Sequence, residues 1–144
     1  MTDGVALLDV NVLVALLVPE HQHHNLAMGW FTGEALHQGW ATCAVTELGV
    51  IRVCAQLPGG PWPPETTADR LLLLTSARGE YEFWPDAISP ATMAEVRTAT
   101  TAKQITDRYL LGLVRRHAGR VITFDRALAA AGGDDVVCLL QEPE

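Results

Sequence analysis

Leu7-Leu8-Asp9-Val10-Asn11-Val12-Leu13-Val14-Ala15-Leu16-Leu17 sets two polar side chains in an otherwise apolar run. Residues 5–8 have the composition of a short strand buried on both faces, and residues 12–18 that of a helix apolar nearly all round. Asp9 then stands at the carboxyl end of a strand, where open α/β sheets bind their ligands. A buried carboxylate is costly unless it is neutralised, paired or bound to a metal. Asp9 and Asn11 also suit the plain task of capping the helix, because short polar side chains accept from its free N–H groups. The stretch implies a strand–helix unit and leaves both readings of Asp9 open.

Outward from this unit, strands and helices alternate. A polar turn at Pro19-Glu20-His21-Gln22-His23-His24 leads to a helix over 25–37, with Leu26, Trp30, Phe31 and Leu36 available for burial. A short strand at 40–44 and a helix at 45–57 follow, ended by the loop Pro58-Gly59-Gly60-Pro61-Trp62-Pro63-Pro64. Helix resumes over 65–77 with residues 71–74 as its apolar body, and 81–84 suits a strand closed by Pro85. Ser89-Pro90 has the form of a helix start, an N-cap residue with proline at the first position, for a helix reaching Val96. A long amphipathic helix over 105–117, a strand at 121–124, a short helix at 126–131 and a last strand at 136–140 complete the chain. Such alternation argues for an α/β fold with a parallel sheet covered on both faces.

The 144 residues suit one domain, 1–144, with a sizeable core. At 49% hydrophobic and 19% charged, the composition fits a compact fold rather than a disordered one. The apolar run at 12–18 is far short of the roughly 18 residues that span a bilayer. Asp3 stands where a signal peptide would be positive, and Asp9 interrupts its apolar region, so a cytoplasmic location is expected. Cys43, Cys54 and Cys138 show no C-x-x-C spacing and lie in apolar surroundings, which predicts reduced, buried thiols. The net charge of −7 argues against a nucleic-acid partner, but its distribution softens that objection. Residues 103–126 hold six basic and two acidic side chains, a local +4 that leaves −11 elsewhere. A metal-dependent site acting on phosphate could look like this, as could a solvated charged helix face.

The acids fall at particular places on this scheme. Asp9 ends the first strand, Glu47 lies in the first turn after the second, Asp107 opens the long helix, and Asp125 follows the 121–124 strand. In a parallel sheet these positions share the carboxyl edge and could converge on one pocket. Four acids in one cleft would raise one another's pKa, a conflict that a divalent cation resolves. Oxygen-only ligands favour Mg²⁺ or Mn²⁺ over zinc. Such an ion makes a bound water more acidic and neutralises a phosphate oxygen. Taken singly, each acid could equally be a helix cap placed favourably in the helix dipole.

Asp9-Val10-Asn11-Val12-Leu13, Thr46-Glu47-Leu48, Ile105-Thr106-Asp107-Arg108-Tyr109-Leu110 and Thr123-Phe124-Asp125-Arg126-Ala127-Leu128 resemble, in order, the four acidic motifs of the PIN-domain ribonucleases. The likeness is nearest to the VapC-type toxins of bacterial toxin–antitoxin systems and covers nearly the whole chain. It implies a Rossmann-like α/β/α sandwich and cleavage of single-stranded RNA with Mg²⁺ or Mn²⁺. By motif, Asp9, Glu47, Asp107 and Asp125 would form the catalytic and metal-binding cluster, with Asn11 and Thr123 as polar support. Asp9 and Asp107 would chiefly hold a metal that activates water. Glu47 and Asp125 would orient its hydration shell or help hold a second ion. The resemblance also implies a homodimer and a cognate antitoxin protein whose C-terminal segment enters the cleft. The loop at residues 58–64 has no counterpart in the family pattern.

Arg108, Arg115 and Arg116 could contact the RNA backbone, although Arg115 and Arg116 also read as solvated helix-face residues. The H-x-H-H cluster at His21, His23 and His24 could bind a transition metal. Its place in a turn favours a solvent-facing reading. Trp30, Trp40 and Trp84 suit packing, and Trp62 is the tryptophan open to base stacking. Two other function classes fit parts of the chain. A haloacid-dehalogenase-like phosphotransferase would use Asp9 as nucleophile, but expects a second Asp where Asn11 stands. A non-enzymatic partner-binding module would need none of the acids.

Overall fold

A computed structural model describes residues 4–77 and 79–140; Asp3 lies outside them. Five strands form one all-parallel sheet: β1 (Ala6–Leu8), β2 (Trp40–Cys43), β3 (Tyr81–Trp84), β4 (Arg120–Thr123) and β5 (Val136–Cys138), in the order β3-β2-β1-β4-β5. β1 is central, and every one of its residues is buried. Its side chains alternate between two cores. Ala6 and Leu8 join Trp40 and Ile122 on one face, and Leu7 joins Ala41, Cys43 and Val121 on the other. A strand apolar at every position is what a sheet covered on both faces requires.

The first face is covered by α1 (Val10–Leu17), α2 (His24–Trp30), α4 (Ala44–Cys54) and α5 (Pro64–Thr75). Beyond Trp30, α2 continues through a π-helical turn at Phe31–Ala35 into α3 (Leu36–Gln38). The second face is covered by α6 (Ala94–Arg97), α7 (Ile105–Arg116) and α8 (Arg126–Gly132). α1 and α4 lie against each other closely enough that a Cβ on Gly49 would overlap Cγ2 of Val10, the residue beside Asp9. Trp30, Trp40 and Trp84 are buried as packing residues, and Cys43, Cys54 and Cys138 are free thiols, the first two buried.

Three expectations fail for physical reasons. The Ser89-Pro90 helix is two pieces, a 3-10 turn at Pro90–Thr92 and α6, because Met93 between them is extended and fully buried in the second core. Leu72 and Leu73 are exposed, since α5 buries a single stripe through Thr67 and Leu71 and four consecutive leucines cannot share one stripe. Leu26 is likewise 42% exposed.

Candidate active site

The chain runs from β1 outward to β3 and then returns to place β4 on the other side of β1. The gap above β1 and β4 is a topological switch point, where open parallel sheets bind ligands. Asp9 follows β1 and Asp125 follows β4, so the order of strands alone sets these two acids beside the gap. Asp107, in the first turn of α7, closes it from the second face. Together with Asn11, His21 and Lys103 the three acids line one cavity of about 400 Å³.

Capping and cavity lining coincide. Asp9 is the N-cap of α1, its Oδ1 accepting from the N–H of Val10 at 2.7 Å. Asp125 is the N-cap of α8, its Oδ1 accepting from the N–H groups of Ala127 at 2.8 Å and Leu128 at 3.3 Å. A cap fixes a carboxylate's direction while using only part of its acceptor capacity.

The fully buried Thr123 hydroxyl ties the acids together. It donates to Asp9 Oδ2 at 2.7 Å and accepts from the Asp125 N–H at 3.0 Å and from Asn11 Nδ2 at 3.2 Å. Asn11 Oδ1 in turn accepts from the Phe124 N–H at 3.2 Å. Asn11 and Thr123 thus lock the ends of β1 and β4 to each other.

Charge is in conflict here. Burial pushes the Asp9 carboxyl above the usual carboxylate range; the bonds from Thr123 and Val10 oppose the rise, and Asp125 adds to it. Asp107 is pushed up to about 6 by burial, then by Asp9 and Asp125, with Lys103 opposing. Such coupling shows that the three acids feel one another. A hard divalent cation suits this donor set, because oxygen ligands of one sign in a cavity are what Mg²⁺ or Mn²⁺ takes. The carboxylates share the cavity without being gathered round one point: among the described residues no three acid, imidazole or thiol groups form a ready metal cage.

Glu47 departs from the sequence expectation. It does not line the cavity. Its Oε2 accepts from the hydroxyls of Thr42 at 2.6 Å and Tyr81 at 3.4 Å, and Thr42 and Tyr81 are 2.6 Å apart. α4 starts beside β2, one strand away from the switch point, and the fully buried Thr42 hydroxyl takes the carboxylate as its acceptor. Glu47→Gln should therefore lower any activity of the acid cavity by less than about tenfold, the scale of one altered hydrogen bond. A loss as large as that of an Asp9 variant, measured side by side, would contradict this.

The arginines are not brought to the cavity either. Arg115 pairs with Asp135 at 2.9 Å and Glu95 at 3.2 Å, and Arg116 reaches Glu95 at 3.6 Å, at the end of α7 remote from Asp107. Arg108 donates to the Glu95 carbonyl at 3.5 Å. The cavity's cation is Lys103, which sequence reasoning counted only within a basic run.

His21, His23 and His24 are half-buried rather than solvent-facing. The ring of His24, through Nδ1, meets the Ala15 carbonyl at 2.7 Å, satisfying the end of α1. The ring of His23 lies 4.9 Å from that of Phe124. His21 enters the cavity, and its Nδ1 accepts from the His23 N–H at 3.0 Å, which leaves the ring proton on Nε2. Burial, then His23 and His24, hold its pKa below the ordinary histidine value.

Comparison with known proteins gives a match to the PIN domain family over residues 6–134. Ribonuclease VapC44 of Mycobacterium tuberculosis is 41% identical over 127 residues, covering 86% of this chain and 88% of that protein. Ribonuclease VapC39 of the same organism is 36% identical over 139 residues, covering 94% and 99%. Among solved structures, Mycobacterium tuberculosis VapC20, described as a sarcin-ricin loop cleaving toxin, has a TM-score of 0.65 at 15% identity, covering 88% of this chain and 95% of that one. A chain of FitAB bound to an IR36 DNA fragment has a TM-score of 0.65 at 18% identity, covering 97% and 99%. At those identities the two structures attest the fold.

Proposed function

Since the chain belongs to the PIN-domain family, in the company of VapC ribonucleases, we propose that it is an endoribonuclease, the toxin of a type II toxin–antitoxin pair, hydrolysing RNA phosphodiester bonds with Mg²⁺ or Mn²⁺. The observation that carries this reading is the meeting of Asp9, Asp107 and Asp125 in one cavity at the switch point of the sheet. The same family reading brings with it a cognate antitoxin protein, a homodimer and a cytoplasmic setting. No helix among the described residues is long and apolar enough to cross a membrane. A phosphotransferase using Asp9 as nucleophile finds no support in the family match, and Asn11, where a second Asp would be needed, is committed to Thr123 and Phe124.

Asp9, Asp107 and Asp125 would hold the cation. When bound, the ion supplies an acidified water and neutralisation of a phosphate oxygen. The chain's own residues prepare the carboxylates that would hold the ion. Thr123 holds the Asp9 carboxylate by donating to it, and Asn11 holds Thr123. The donations to Asp9 from Thr123 and from the Val10 N–H favour the ionised form that a cation needs. Lys103 offers a charge to the RNA phosphate at the mouth of the cavity. Glu47 would act at a distance, by fixing Thr42 and Tyr81 where α4 meets the sheet.

The test is cleavage of a structured RNA pool. The purified chain should cut with Mg²⁺ or Mn²⁺, stop when EDTA is added, and resume when metal is restored in excess. Cleavage indifferent to EDTA, or none with either metal, would sink the reading.

A further inference from the structure

Beside the acid cavity lies a second one, of about 470 Å³, whose walls include Val18, Glu20, His21, Pro58, Gly59 and Trp62. His21 lines both, so the two adjoin at this residue. The far wall is the loop at residues 58–64. Its course is fixed: the Trp62 N–H donates to the Cys54 carbonyl at 2.8 Å, anchoring the loop to the end of α4. The Arg70 guanidinium lies 4.6 Å from the centre of the Trp62 ring, which holds the indole in place by a cation–π contact. Gly59 turns the loop at φ +79°, with open space where a Cβ would stand.

We propose that this second cavity is a nucleobase subsite of the RNA-binding groove, in which an unstacked base next to the scissile phosphate packs on Trp62. The inference rests on the ribonuclease reading above. Four features suit a base, and the second of them disfavours a phosphate. The cavity falls in the size range of small-ligand sites. Among the described residues its lining has one formal charge, the Glu20 carboxylate, and no lysine or arginine, so it offers no cation of its own lining to a phosphate. A carboxylate only accepts hydrogen bonds, which suits the exocyclic amino group of a base. Indole is the kind of surface on which single-stranded RNA stacks without needing a fixed sequence. His21, with its proton on Nε2, stands between the acids and this subsite as a donor for the sugar or phosphate joining them.

The test uses a fluorescein-labelled, mixed-sequence, single-stranded oligoribonucleotide, with Mg²⁺ and in the Asp9→Asn background so that it stays uncut. Trp62→Leu should weaken binding by roughly tenfold, the scale of one lost base–aromatic stack, and Trp62→Phe should restore most of it. Unchanged thermal melting of Trp62→Leu would tie the loss to the ring. If Trp62→Leu does not fold, photo-crosslinking of the same RNA carrying 4-thiouridine decides: adducts mapped to Trp62 or His21 are expected. Equal affinity of both Trp62 variants and the parent, adducts elsewhere only, or no binding of the RNA at all overturns the subsite. The ribonuclease reading is judged separately, by wild-type cleavage with and without EDTA, so the two can fail independently.

Discussion

Asp9→Asn should reduce RNA cleavage by about a thousandfold, a loss equivalent to roughly 4 kcal/mol of transition-state stabilisation, while leaving the fold intact. Asn is as good an N-cap as Asp, so the Val10 N–H keeps an acceptor and α1 keeps its start. The amide has one acceptor oxygen where the carboxylate uses two, so with the cap kept its NH2 faces the Thr123 hydroxyl and that one hydrogen bond is lost, at about 1 kcal/mol, while Asn11 still ties Thr123 to the end of β1. What disappears is a negative charge on a side chain only 7% exposed, one of the three that would bind the ion. Removing a buried charge that already repels Asp107 does not destabilise the metal-free protein. Its melting temperature should stay close to that of wild type, the lost Thr123 bond opposing the relieved charge. Asp9→Ala is the contrasting variant. It also strips the cap and leaves the Thr123 hydroxyl without its acceptor, and so should cost about 1 kcal/mol or more of stability. Cleavage rates and melting curves measured together separate the two. Full activity in Asp9→Asn would remove Asp9 from the chemistry.

Much of this architecture is legible in residues 5–18 alone, because a strand apolar at every position has to be covered on both faces, and a short strand followed directly by a helix has to turn at its carboxyl end. That reasoning placed Asp9 at the edge where Asp107 and Asp125 join it. The resemblance to the PIN-domain ribonucleases implied Thr123 and Asn11 as polar support near them, but not the hydrogen bonds that make Thr123 the joint between two acids. Glu47 shows where linear reasoning stops. Its position in a helix's first turn is as read, but the direction of its side chain depends on the Thr42 and Tyr81 hydroxyls, which come from two strands. His21 and Lys103 were missed for a related reason. Each sits in a loop or a short 3-10 segment near the cavity, where no periodicity reports which way a side chain points. A histidine two residues before a backbone N–H that can fix its tautomer was the available signal. The arginines of α7 mislead in the opposite sense. Helical periodicity puts them on a helix that reaches the site, but Arg115 and Arg116 lie at its other end, committed to Glu95 and Asp135.

The raised pKa of Asp107 gives the second large effect, one that needs no RNA. In the folded, metal-free chain this carboxyl titrates at about 6 instead of 3.8. Between those values the folded state therefore binds more protons than the unfolded state, and stability falls as pH rises. The destabilisation is absent below about pH 4 and complete above about pH 6. Asp107→Asn removes it, so in EDTA the variant should melt above wild type at pH 7, and the gap should close as the pH is lowered towards 4. Glu95, whose carboxyl is held below its usual range, pulls the other way as the pH falls, but it does so in both proteins and cancels in the difference. Mg²⁺ should reverse the order at pH 7. An ion bound only by the folded state at a hundred times its Kd adds about 2.7 kcal/mol, a shift of several degrees for wild type and little for the variant. The burial and then the repulsion that disfavour a charged Asp107 in the empty cavity are what a bound cation relieves. Melting curves of both proteins at pH 5 and pH 7, with EDTA and with Mg²⁺, give the eight melting temperatures required. If Mg²⁺ raises both proteins equally, Asp107 is not a ligand; if the EDTA gap does not depend on pH, the Asp107 carboxyl is not raised in the folded chain.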